Sequence, residues 1–202
     1  AIEKLQQLGA KPVTCSDSNG YIYDKEGIDL DLLKQVKEVD RDRLTAYTKK
    51  RPQAQYYEAG NVWELKIPYD LAFPCATQNE IDKENAEVIV ENGAKIVAEG
   101  ANMPCVMEAS EYFIDKGISY CPGKAANAGG VAVSALEMSQ NSQRLQWEKN
   151  DVDKQLNTIM KKIYESTRDA AQEYGSENNF MLGANIAGFD RVAKAMTEQG
   201  LV

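Results

Sequence analysis

Tyr69-Asp-Leu-Ala-Phe-Pro-Cys-Ala-Thr-Gln-Asn79 opens on a short apolar run and stops on proline, small residues and amides. The same grammar recurs twice. Ala94-Lys-Ile-Val-Ala98 runs into Glu99-Gly-Ala-Asn-Met-Pro104, and Ile118-Ser-Tyr-Cys121 runs into Pro122-Gly-Lys-Ala-Ala-Asn127. Between these runs the spacing predicts a helix over about 83–91, stopped by Gly93, and another over about 106–116, stopped by Gly117. Short strands alternating with helices of ten or so residues specify βαβ units on a parallel sheet, so the fold class is α/β.

Upstream, Ile2, Leu5 and Leu8 share a helical face that Gly9 ends. Lys11-Pro-Val-Thr-Cys-Ser16 then reads as a strand closed by the turn cluster Asp17-Ser-Asn-Gly20, and Tyr21-Ile-Tyr23 as a small added strand. Asp29 is a candidate cap for a helix with Leu32, Leu33, Val36 and Val39 on its apolar face, and a basic helix follows near 41–50. Downstream the pattern is helical, over about 131–145, over 151–174 with Asp151 as candidate cap, and over 184–198. The six methionines and the Tyr56-Tyr57 run read as packing.

Each strand of the alternating series ends on small, amide or glycine residues rather than charged turns. In open α/β sheets, ligands bind outside the carboxyl ends of the strands. Asp17-Ser18, Ala76-Thr77-Gln78-Asn79, Gly100-Ala101-Asn102 and Ala125-Ala126-Asn127 are therefore expected to line one crevice. The bland alternative is that they are only good turn formers.

Composition narrows the chemistry. The 202 residues carry 23 Lys plus Arg against 31 Asp plus Glu, a net charge of −8. That excludes a binder of nucleic acid or anionic membrane relying on excess positive charge. Mean hydropathy is −0.49 and no apolar run approaches a bilayer span. Cys15, Cys75, Cys105 and Cys121 show no C-x-x-C spacing and read as reduced cytoplasmic thiols. There is no histidine, which removes His-based triads and imidazole metal ligands and leaves no metal site to expect. Any chemistry here rests on lysine, carboxylates, amides or a bound cofactor.

Asp17 ends the strand after the first helix, where a dinucleotide-binding unit places its ribose-reading carboxylate. The strand and G-x-G-x-x-G turn that open such a unit do not precede it, so the chain reads as beginning inside its own fold. The expected architecture is a Rossmann-like, doubly wound, mostly parallel sheet lacking that first strand and Gly-rich turn. It divides into a partial dinucleotide-binding domain over 1–128 and a C-terminal helical segment over 129–202.

Together these segments, with Ser16-Asp-Ser-Asn-Gly-Tyr-Ile-Tyr-Asp24, Pro122-Gly-Lys-Ala-Ala-Asn-Ala-Gly-Gly-Val131, Ser134-Ala-Leu-Glu-Met-Ser-Gln-Asn141 and Gly183-Ala-Asn-Ile-Ala-Gly-Phe189, resemble the hexameric, bacterial-type glutamate dehydrogenases. The resemblance runs through essentially the whole chain, in order. It implies reversible oxidative deamination of L-glutamate to 2-oxoglutarate and ammonia, with hydride passing to a nicotinamide cofactor, in a cytoplasmic homo-hexamer. It places the catalytic lysine and aspartate in an N-terminal domain outside this sequence, so no catalytic residue is assigned here and the chain alone is expected to be inactive.

The resemblance assigns cofactor contacts to Asp17, Ser18, Lys37, Arg43, Ala76, Thr77, Asn79 and Asn102. It assigns the glutamate pocket to Asn127, Gly130, Val131 and Ser134. Ser16-Asp17-Ser18 resembles the NADP-using members, with Arg43 or Lys37 receiving the 2′-phosphate; the alternative is NAD, with Asp17 accepting from the ribose 2′-OH. Blander alternatives stand beside these. Asn127 and Ser134 would also serve as helix caps, Gly129-Gly130 as a loop before a helix, and Lys37, Arg41 and Arg43 as a solvated helical face. A non-catalytic nucleotide-binding or structural module of the same fold is the competing function.

Overall fold

The computed structural model describes residues 1–200, which fall into two compact units, Ala1–Lys66 and the described residues from Ile67 onward. The first begins with α1 (Ile2–Gln7) and continues through β1 (Thr14–Asp17) and β2 (Gly20–Tyr23). Helix α2 (Leu30–Lys34) passes directly into a π-helical turn, Gln35–Val39; α3 (Leu44–Lys50) and β3 (Gln55–Glu58) follow. The three strands form an antiparallel sheet in the order β1-β2-β3. Strand β1 thus pairs antiparallel with its neighbour instead of continuing the parallel alternation.

β3 was not foreseen. Its pattern, Gln55-Tyr-Tyr-Glu58, is too short to show a period, but Tyr57 stacks on Tyr21 with ring centroids 4.7 Å apart. Packing is therefore the role of that tyrosine, as expected. Ile22, Ile28, Leu33, Val36, Leu44, Tyr47 and Ala54 form the core of this unit. Beside it lies Asp24, fully buried, whose carboxylate accepts from Arg51 Nε, from the Tyr47 hydroxyl at 3.3 Å and from the Glu26 N–H at 3.1 Å. A buried charge needs such partners to persist.

Asp29 caps α2, accepting the Leu32 N–H at 3.0 Å. The expected continuous α-helix to Val39 is corrected by the π-helical turn, where the Asp40 N–H reaches back five residues to the Gln35 carbonyl at 2.8 Å. The wider turn rotates the following side chains, so Val36 stays buried while Val39 is 68% exposed. The basic patch expected at helical spacing is corrected too. Lys37 lies in the π-helical turn, Arg41 has φ 53°, and Arg43 precedes α3 in an extended conformation.

The second unit carries β4 (Leu71–Ala72), α4 (Lys83–Glu91), β5 (Ile96–Ala98), α5 (Met107–Asp115) and β6 (Ser119–Cys121). The strands are parallel, in the order β4-β5-β6, with Leu71 beside Ile96 and Ile96 beside Ser119. This is the predicted βαβ alternation. Asp82 and Asn85 make a reciprocal capping box at the start of α4. Ala86, Ile89, Val97, Ala109 and Phe113 are fully buried between sheet and helices.

Four further helices follow: α6 (Gly123–Ala126), α7 (Gly129–Gln143), α8 (Lys149–Glu173) and α9 (Phe180–Gln199). Asp151 is not the cap of α8. The cap position is Glu148, and Asp151 sits inside the first turn, 3.6 Å from Lys154. Asn179, not a residue near 184, caps α9 by accepting the Leu182 N–H at 2.9 Å. Methionine as packing holds poorly: Met103, Met107, Met138 and Met196 are each at least half exposed. All four cysteines are free thiols, and Cys75 is exposed rather than a core filler.

Candidate functional site

The carboxyl ends of the parallel strands open into a cleft of about 630 Å³ within the second unit. Three chain segments converge on it. The loop after β4 contributes Ala76 and Gln78, the loop after β5 contributes Gly100, Ala101 and Asn102, and Asn127 follows α6. The first two turns of α7 add Gly130, Val131 and Ser134. Thr77 and Asn79 do not line it. The Asn79 N–H is instead spent on the Met103 carbonyl at 2.9 Å, tying the two loops together, with both residues in the left-handed region.

The small residues are required by close approach. A Cβ on Gly100 would sit 2.5 Å from the Cys75 sulfur, and one on Gly123 would sit 2.8 Å from the Ala101 carbonyl oxygen. Asn127 bridges the same loops. Its Nδ2 donates to the Ala101 carbonyl at 3.2 Å and to Asn102 Oδ1 at 2.7 Å. A carbonyl oxygen only accepts, so the atom facing Ala101 must be the amide nitrogen. Both its hydrogens are committed, leaving Asn127 Oδ1 as an acceptor and Asn102 Nδ2 as a donor. The cleft therefore presents a polar pair of fixed sense.

The helix-cap alternatives for Asn127 and Ser134 fall away. Ala128 occupies the cap position of α7, with no side-chain cap bond, and Gly129 and Gly130 are already helical. Ser134 Oγ donates to the Gly130 carbonyl one turn back, at 3.2 Å, and remains exposed. Val131 is 77% exposed.

Glu99 was legible only as the start of a strand stop. In the structure it is 4% exposed and holds three segments at once. Its Oε1 accepts from the Tyr120 hydroxyl at 2.6 Å and the Cys105 N–H at 3.3 Å, and its Oε2 accepts the Gly123 N–H at 2.6 Å. Burial, with the hydrogen bond to Glu99, pushes the Tyr120 phenol far above its usual pKa, so it stays a donor. Burial and the same carboxylate push the Cys105 thiol up.

In the first unit, Asp17 and Ser18 close the β1–β2 hairpin. Lys37 Nζ donates to Asp17 Oδ2 at 2.9 Å and to the Asp42 carbonyl at 3.0 Å. Arg43 Nη1 donates to Ser18 Oγ at 2.9 Å. Burial opposes the Asp17 charge, but the Asn19 N–H, the Lys37 ammonium and the Leu44 N–H outweigh it and hold the carboxyl below its ordinary pKa. Here a serine hydroxyl meets a guanidinium, beside a carboxylate already neutralised by an ammonium. That donor set suits a phosphate monoester better than a lone carboxylate would. Among the described residues, no cluster of three or more His, Cys, Asp or Glu is arranged to hold a metal, and no helix is long and apolar enough to cross a membrane.

Three comparisons bear on what this arrangement is. Residues 1–200 match the family model of the Glutamate/Leucine/Phenylalanine/Valine dehydrogenases. The chain is 52% identical over 207 residues to an NADP-specific glutamate dehydrogenase of Helicobacter pylori, covering 99% of this chain and 46% of that protein. It is 51% identical over 203 residues to an NAD(P)-specific glutamate dehydrogenase of Xylanibacter ruminicola, covering 99% and 45%. In structure it is similar to Plasmodium falciparum glutamate dehydrogenase, with TM-score 0.94 and 42% identity over 100% of this chain and 44% of that one. The chain thus spans about 46% of the length of the curated relatives it matches. The strand-end loops, the α/β fold and the match over residues 1–200 lead to one assignment: the chain belongs to the Glutamate/Leucine/Phenylalanine/Valine dehydrogenase family.

Proposed function

We propose that this chain is the cofactor-facing part of a glutamate dehydrogenase that interconverts L-glutamate with 2-oxoglutarate and ammonia, using NADP. NADP, when bound, supplies the hydride acceptor; the residues of this chain bind, orient and select. The observation that carries the reading is the cleft on which the loops after β4 and β5, Asn127 and the first two turns of α7 converge. Ala76 and Asn102 serve the nicotinamide ribose in this proposal, with Thr77 and Asn79 shaping the loop behind them. Asn127, Gly130, Val131 and Ser134 form the wall for glutamate: Val131 packs its methylenes and the Ser134 hydroxyl reaches its distal carboxylate.

The choice of NADP is supported by Arg43 on Ser18 and by Lys37 neutralising Asp17. A 2′-phosphate would meet two donors and no uncompensated carboxylate. On this proposal residues 1–128 act as the nucleotide-binding part and 129–202 as helices leading back toward a substrate domain. A cytoplasmic homo-hexamer is the corresponding proposal for the full-length protein. The 202-residue chain by itself should reduce no NADP with glutamate, because the resemblance places its catalytic lysine and aspartate elsewhere.

The test is kcat/KM of the full-length protein with glutamate, norvaline, leucine, valine and phenylalanine, each with NADP and NAD. Preference for glutamate with NADP is expected. Preference for an aliphatic or aromatic amino acid would overturn the substrate, and preference for NAD would return Asp17 to the ribose hydroxyls.

A further inference from the structure

Glu99 is the buried carboxylate of the second unit among the described residues, and its hydrogen bonds go to Tyr120, Cys105 and Gly123, none of which is assigned to cofactor or substrate. It stands at the end of β5, one residue before the cleft loop, and its two oxygens do different work. Oε1 faces the protein interior, where Tyr120 and Cys105 donate to it, and the Tyr120 hydroxyl in turn receives Ser110 Oγ at 3.1 Å. Oε2 faces the opening of α6, holding the Gly123 N–H at 2.6 Å. A helix of four residues has little cohesion of its own, so its placement depends on what grips its first N–H. One turn later the Asn127 N–H donates to the Gly123 carbonyl at 2.8 Å, and the Asn127 side chain reaches back to Ala101 and Asn102. The closed path Glu99–Gly123–Asn127–Ala101 returns to the residue pair beside Glu99. Gly123 admits no side chain inside that loop, since a Cβ would meet Ala101 O at 2.8 Å and Glu99 Oε2 at 3.2 Å.

We propose that Glu99 is a positioning residue for the substrate cleft: through its bond to Gly123 it fixes α6, and thereby holds the Asn127–Asn102 amide pair with its acceptor and donor presented in one sense. This deepens the glutamate dehydrogenase reading and rests on it for the kinetic half of its test. Without the grip on Gly123, Asn127 loses its register against Ala101, and the pair is free to rotate and present mixed polarity to a ligand.

Two isosteric changes separate the two oxygens. In Glu99→Gln, with the one remaining acceptor oxygen turned to Gly123, the Tyr120 hydroxyl can turn to accept from the new NH₂ while the Cys105 N–H loses its acceptor; the Gly123 bond persists, but to a neutral partner and so weakened. In Glu99→Ala, all three donors lose their acceptor. In Tyr120→Phe, only the Oε1 side is touched. In the full-length protein, KM for glutamate should rise about tenfold in Glu99→Gln and about a hundredfold in Glu99→Ala, the scale of a small misplacement of a binding group. Tyr120→Phe should lower Tm without moving that KM. A purely structural role would lower Tm and the active fraction, hence kcat, in all three while leaving KM alone.

A ligand-free crystal structure supplies the readout independent of activity. Asn127 Nδ2 should be drawn away from the Ala101 carbonyl in Glu99→Ala. Should Glu99→Ala fail to fold, Glu99→Gln against Tyr120→Phe still decides, and equal KM values in those two overturn the proposal. An Asn127 amide unmoved in ligand-free Glu99→Ala also overturns it. A wild-type protein that does not oxidise glutamate removes the function reading while leaving the crystallographic test of Glu99 intact.

Discussion

Arg43→Ala isolates the group to which the proposal assigns the 2′-phosphate. In the structure the guanidinium gives one N–H to Ser18 Oγ at 2.9 Å, and its remaining donors are left for a phosphate. Hydrogen bonds to charged partners contribute about 1.5–3 kcal/mol each. Arg43 is exposed, where solvent and salt weaken such pairs, so the lower half of that range applies. At about 1.36 kcal/mol per decade, Arg43→Ala should cost roughly tenfold in kcat/KM for NADP and nothing for NAD. Lys37→Ala acts by a different route. Lys37 is already spent on Asp17 and Asp42, so its loss uncovers the Asp17 carboxylate. Two like charges about 5 Å apart repel by about 1 kcal/mol in high dielectric, and a doubly charged phosphate doubles that. Lys37→Ala should therefore disfavour NADP by about 1–2 kcal/mol while freeing Asp17 to accept from the 2′-OH of NAD. The assay is steady-state kcat/KM for both cofactors at fixed ionic strength, with the NADP penalty shrinking as salt rises. Equal losses with both cofactors in either variant would refute the phosphate assignment.

Other consequences follow from the same contacts. Ser134→Ala should cost about 1–2 kcal/mol in kcat/KM for glutamate and little for norvaline, because the hydroxyl must leave the Gly130 carbonyl to serve a carboxylate; equal losses would make it a helix-packing group. Arg51→Ala strands the buried Asp24 charge and should lower stability by about 3 kcal/mol, the low end for a broken buried pair because Arg51 keeps 21% exposure; an unchanged urea midpoint would refute it. The Asp17 carboxyl is held below its unfolded pKa, so its stabilisation is complete above about pH 4 and is lost as pH falls through the lower folded value. An acid titration of Tm should lose that component in Asp17→Asn, and superimposable wild-type and variant profiles would remove it.

The parallel unit was legible because its signals are local. Each strand there is bounded by proline or glycine, and the helices between them, α4 and α5, are stopped by Gly93 and Gly117, so the βαβ period survives in a one-dimensional reading. The antiparallel unit was less so. Strand β3 holds four residues, and what fixes it is the ring of Tyr57 on Tyr21, thirty-six positions away in the chain. The π-helical turn is invisible for a similar reason. Leu32, Leu33, Val36 and Val39 satisfy helical periodicity, and only the Asp40-to-Gln35 hydrogen bond shows that the last of them has rotated to solvent.

The cleft divides along the same line. Ala76, Asn102 and Asn127 could be picked out because a strand end rich in small residues and amides is a pattern of composition. Ser134, inside α7, carries no such trace and is indicated only by the family resemblance. Thr77 and Asn79 belong to that pattern and yet stand outside the cleft, because the Asn79 backbone is claimed by Met103. Glu99 has the opposite character. Nothing in a glutamate at the head of a turn distinguishes it from a solvated charge, and its importance arises only when Tyr120, Cys105 and Gly123 are folded around it. Positions that face a ligand leave a compositional trace because the ligand limits their size and polarity. A position that holds those positions in place is limited by its own neighbours in space, and those are set by the fold.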